Sequence, residues 1–90
     1  MRNRRVVITG MGAVTPVGLT ARESWQNVKL GVCGVGPITQ FDATGMKVQL
    51  AAEVKGFEPE AVLDRQSARR MGRFTQFAVV AARQALADAA

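Results

Sequence analysis

Three groups of residues in this 90-residue chain have types and spacings that could do chemistry. They are the glycine turn Gly10-Met11-Gly12, the single thiol of Cys33, and the arginines between Arg65 and Arg73. Histidine is absent altogether, which removes the commonest general base, nucleophile activator and zinc ligand. Cys33 follows the C-terminal end of a helical pattern, where the negative end of the dipole disfavours a thiolate. With no histidine to take its proton, it is not read as a nucleophile. One cysteine leaves no internal disulfide and no Cys/His metal cluster, and a reducing cytoplasm is compatible with that usage.

Gly10-x-Gly12 after an apolar run has the look of a dinucleotide fingerprint. That fingerprint needs a third glycine three residues after Gly12, opening a helix whose N-terminus holds pyrophosphate. Thr15 stands there, followed by Pro16, and the residue before a proline is biased away from helix. No Gly-Lys-Ser/Thr follows, so a P-loop is excluded as well. No cofactor is expected. Gly10, Gly12 and Gly18 are read instead as allowing tight turns and close backbone packing.

Asp64 to Arg73 carries four arginines against one aspartate, within a chain of net charge +5. The stretch has three readings. It could be a solvated helix entrance, a docking face for an acidic partner, or a nucleic-acid contact. Charge complementarity supports the second, because it steers encounter and sets register. Nucleic acid is not expected: no aromatic interleaves the arginines for stacking and no recognition motif accompanies them.

These groups must be positioned by elements that the patterning predicts. Val6-Val7-Ile8 is a short apolar β-branched run, suited to a strand covered on both faces. Thr20 and Glu23 form a capping-box pair, Trp25 and Val28 share a face, and Gly31 supplies a left-handed stop. This predicts a helix of about ten residues that packs Trp25 on a sheet. Gly31 to Pro37 reads as a loop, and Phe41-Asp42 through Gly45 as a turn. Lys47 to Val54 alternates, which predicts a second, half-buried strand. Pro59–Leu63 reads as a short helix with proline in its first turn. From Phe74 to Ala89 runs the longest helix, with Phe74, Phe77, Ala78, Ala81, Ala85 and Ala89 on one stripe and Gly72 at its N-cap.

Hydrophobic content of 48% fits a globular chain, with aromatics at only 6%, so the core must be aliphatic and alanine-rich. No apolar run approaches the roughly 20 residues of a membrane span. Met1-Arg-Asn-Arg-Arg resembles a signal-peptide start, but the apolar run after it is short and breaks at Thr9-Gly10, so no targeting segment is read. The chain reads as one unit over 1–90, without repeat or linker. Ala87-Asp88-Ala89-Ala90 closes it in a helical pattern with no stop signal, so a truncated piece of something longer is expected.

The stretch from Arg4-Arg5-Val-Val-Ile-Thr-Gly-Met-Gly through Val14-Thr-Pro-Val-Gly18 resembles the amino terminus of the type II β-ketoacyl-acyl carrier protein synthases. Related ketosynthase domains of polyketide synthases begin similarly. Glu23-Ser-Trp25, Gly34-x-Gly36-Pro-Ile-Thr, Phe41-Asp42, Ala52-Glu-Val-Lys-x-Phe57 and Arg69-Arg-Met-x-Arg-Phe-Thr-Gln-Phe77 extend the resemblance along the chain. It implies the amino-terminal part of a thiolase-like α/β fold: strand, helix, strand, long helix, incomplete. It implies a cytoplasmic, homodimeric acyltransferase of fatty acid biosynthesis. Such an enzyme elongates acyl chains by decarboxylative condensation with malonyl-acyl carrier protein. By the resemblance its catalytic cysteine and two histidines lie downstream of Ala90, so no catalytic residue, cofactor site or metal site is expected here. The implied partners are acyl carrier protein and the acyl and malonyl thioesters, with no nucleic acid and no membrane.

In the family, basic residues before the long helix help dock the acidic carrier protein. The matching positions are Arg69 and Arg70. A third basic position is Gln66 here, and the usual aspartate at the helix N-cap is Gly72. Two other readings stay open. One is a non-catalytic chain-length partner subunit of a polyketide synthase, with the same fold but without the cysteine. The other is a stand-alone basic binding module.

Overall fold

The computed structural model describes residues 3–90. Met1 and Arg2, the start of the basic leader set aside above, lie outside the described residues. Helix α1 spans Ala21–Lys29, strands β1 and β2 span Val35–Pro37 and Leu50–Ala52, and a single 3-10 turn covers Pro59–Ala61. Helices α2 (Arg65–Arg70) and α3 (Arg73–Ala89) complete the order. Ala90 is the C-cap of α3, its N–H donating to the Ala87 carbonyl at 3.3 Å.

The apolar run Val6–Ile8 is extended but belongs to no sheet. Its residues are 92%, 70% and 81% exposed, which corrects the expectation of a strand covered on both faces. The physical reason is that no strand among the described residues lies beside it. β1 and β2 pair with each other instead, in an antiparallel register of Val35↔Ala52, Gly36↔Ala51 and Pro37↔Leu50. The ladder continues through Ile38 N–H to the Gln49 carbonyl at 3.0 Å. β1 falls where a loop is expected from the glycines, and β2 is the shorter core of the alternating run.

The end of the extended segment is fixed to α3 rather than to a sheet. A Cβ on Gly10 would collide with the Ala85 carbonyl, and one on Gly12 with the Ala81 carbonyl. The absence of side chains is what lets the two backbones touch. Side chains of α3 then take up the segment's polar groups. Met11 N–H donates to Asp88 Oδ2 at 3.0 Å and Ala13 N–H to Gln84 Oε1 at 3.1 Å. Gln84 Nε2 donates in turn to the Leu19 carbonyl. Close backbone packing is therefore the role of Gly10 and Gly12.

Helix α1 starts as its capping residues dictate: Thr20 Oγ1 accepts from Glu23 N–H at 3.1 Å. It stops at Gly31, whose φ is +74°. Which face it buries differs from expectation. Ser24 is the buried residue, its hydroxyl 2.8 Å from Thr15 Oγ1, and Asn27 Nδ2 donates to the Val17 carbonyl. These bonds satisfy the Thr15–Gly18 turn, so the polar side of the helix faces inward. Trp25 consequently points outward, 61% exposed, with Lys29 Nζ 5.6 Å from its ring centroid.

The apolar core is small and sits where the 3-10 turn, α2 and α3 meet. Leu63, Ala68 and Val80 are buried there, with Val14, Phe57, Met71 and Val79 packed around them. On α3, Phe77, Ala81 and Ala85 are half-buried as the stripe predicts, but Phe74, Ala78 and Ala89 are exposed. The inner stripe is rotated toward Gln76, Val80 and Gln84, because the two glutamines find carbonyl partners there.

Candidate functional site

The arginine stretch folds into its own short helix. Asp64 is its N-cap, with Oδ1 accepting from Ser67 N–H at 3.0 Å. The Ser67 side chain, then its amide, hold the Asp64 carboxyl below the ordinary aspartate range, and the charge of Arg83 adds to this. Ala68 is buried against the core, so Gln66 and Arg70 project from the opposite face, with Arg69 on its flank. Met71 ends the helix, and Gly72 opens α3 without a side-chain cap.

A side-chain hydrogen bond spans the junction between the two helices. Gln76 Nε2 donates to the Ala68 carbonyl at 2.8 Å, tying the first turns of α3 to the last turn of α2. Arg73 reaches the other way. Its Nη2 donates to the Val54 carbonyl at 3.0 Å, and its guanidinium lies 5.0 Å from the Phe77 ring centroid and 5.7 Å from that of Phe57. Those two rings meet edge to face at 5.0 Å. Arg83 Nη1 similarly donates to the Val62 carbonyl at 2.7 Å.

The structure thus divides the arginines by role. Arg73 and Arg83 hold the backbone that precedes α2 against α3. Arg65 is exposed at the start of α2, and Arg69 and Arg70 are exposed in its last turn, where they form an exposed cationic pair. An arginine fork is suited to bidentate contact with a carboxylate. Sequence patterning misses this division, since the guanidiniums look alike until the carbonyl partners of Arg73 and Arg83 are in place. The polar residues at Gln76 and Gln84, spaced by eight on the inner stripe of α3, are a signal that could have shown the helix side chains binding backbone.

The other sequence candidates lie elsewhere. Cys33 is exposed, with its thiol 3.7 Å from the Val35 carbonyl. The Gly10–Gly12 backbone packs against α3, and the Met11 N–H between the two glycines is taken by Asp88. Among the described residues, no group of three His, Cys, Asp or Glu side chains could hold a metal ion. No described helix is long and apolar enough to cross a membrane. An open groove of about 620 Å³ runs between α1 and α3, floored by Met11, Trp25 and Ala87, away from the arginine pair.

The family model described as "Beta-ketoacyl synthase, N-terminal domain" matches residues 3–90. The chain is 50% identical over 88 residues to 3-oxoacyl-[acyl-carrier-protein] synthase 2 of Staphylococcus aureus, covering 98% of this chain and 21% of that protein. It is 47% identical over 89 residues to the synthase 2 of Synechocystis sp., covering 99% of this chain and 21% of that protein. Among solved structures it superposes with a TM-score of 0.88 on "The ishigamide ketosynthase/chain length factor". That match is 40% identical and covers 98% of this chain and 22% of the other. The chain therefore has the fold of part of a thiolase-like ketosynthase, and spans about a fifth of the length of the curated relatives it matches.

Proposed function

The chain belongs to the β-ketoacyl synthase N-terminal domain family, and we propose that the protein carrying it is a 3-oxoacyl-acyl carrier protein synthase of fatty acid biosynthesis. The observation that carries this reading is the family match over residues 3–90, joined to about half identity with synthase 2 proteins of several bacteria.

The proposed reaction has two stages. An acyl group passes from its carrier thioester to a cysteine sulfur, releasing the carrier thiol. Malonyl-carrier protein then loses carbon dioxide, and the resulting carbanion equivalent attacks the acyl carbonyl. The new carbon–carbon bond forms as the carbon–sulfur bond breaks, which frees the cysteine. An activated thiolate and stabilisation of the developing oxyanion are what such chemistry needs. This chain has no histidine, and its one cysteine lies in an exposed loop. We therefore assign the reacting cysteine and its histidines to the protein beyond Ala90. The contribution of residues 1–90 is to bind and orient: Arg69 and Arg70 dock the acidic carrier protein that delivers the thioesters. Their exposure, beside two arginines already bound to carbonyls, supports that role. We propose further that the protein is a homodimer and acts in the cytoplasm.

A second reading is favoured by one observation, the chain length factor named together with the ketosynthase in the structural neighbour. A non-catalytic partner subunit would share this fold. One experiment separates the two. The full-length protein is incubated with acyl- and malonyl-carrier protein, and 3-oxoacyl-carrier protein and carbon dioxide are measured. Product supports the synthase. No product, with the acylated cysteine replaced, supports the partner subunit. The 90-residue chain alone should form none, and product from it would overturn the assignment of the chemistry to residues beyond Ala90.

A further inference from the structure

We draw no further inference here: the strongest candidate, the open groove between α1 and α3 floored by Met11, Trp25 and Ala87, is an unpartnered apolar face of a chain that spans about a fifth of its relatives' length, and nothing in the structure shows what covers it.

Discussion

Gly12→Ala adds one methyl group at the point where the extended segment touches α3. The Cβ would overlap the Ala81 carbonyl and come within 2.7 Å of Gln84 Cβ. The carbonyl is part of the helix backbone and cannot rotate away, so the segment must lift. Lifting it strains the Ala13 N–H···Oε1 bond of Gln84, now 3.1 Å, and with it the bond from Gln84 to the Leu19 carbonyl. Overpacking of this kind costs about 1–3 kcal/mol, and each weakened hydrogen bond about 0.5–1.5 kcal/mol. The sum is about 2–6 kcal/mol, a large part of the roughly 5–15 kcal/mol that holds a domain together. Gly36→Ala is the control. It adds the same methyl group in β1, where a Cβ meets nothing within 4 Å. Its effect should stay within about 0.5 kcal/mol, as for surface substitutions. Urea unfolding of the full-length protein reads both, since a shift in midpoint at constant slope is a change in stability. Equal midpoints for the two variants would refute the close backbone contact.

Two further predictions concern charge. Arg73→Ala should lower stability by about 2 kcal/mol, the loss of a charged hydrogen bond to the Val54 carbonyl plus two cation–π contacts. Arg70→Ala should change stability by less than about 0.5 kcal/mol, and comparable losses in urea unfolding would erase the division of the arginines. The pH profile follows from Asp64 and Glu53. Ser67 holds the first carboxyl below its ordinary value, and Thr39, with lesser help from Gln40 and Lys55, the second. A lowered folded value means stabilisation that is complete above the unfolded value, near pH 4, and lost as pH falls through the folded one. The protection factors of the Ser67 and Thr39 amides, which remove the intrinsic pH dependence of exchange, should fall only below about pH 4. A transition between pH 6 and 7 would contradict this, since no histidine is present to titrate there.

What could be read in advance was what depends on near neighbours in the chain. Thr20, Glu23 and Gly31 bracket α1 through contacts within a few residues, and Gly72 sits at the N-cap of α3 for the same reason. Gly10 and Gly12 were legible as points of close approach, but not the helix they approach, some seventy residues further along. Trp25 misled because apolar spacing indicates which side of a helix is apolar, not which side is covered. Here Ser24 and Asn27 satisfy a turn and win the inward side. Val6–Ile8 misled similarly, since an apolar run cannot show whether its partner strands are at hand. The candidate site was half legible. Arg69 and Arg70 stood out as charge beside a helix start, but the carbonyls of Val54 and Val62 were needed to set Arg73 and Arg83 apart from them.

The docking of an acyl carrier protein at the end of α2 is tested most directly by comparing two double charge reversals in the full-length protein. Arg69→Glu/Arg70→Glu alters the proposed face, and Arg22→Glu/Lys29→Glu makes the same change in net charge on α1. Affinity for acyl carrier protein is measured at low salt, where surface charge is least screened. The α2 variant should lose about tenfold or more in affinity. The α1 variant should change by less than about twofold, the residue of long-range steering. Equal losses in both would mean that only overall charge matters, and unchanged affinity in the α2 variant would contradict the docking face outright.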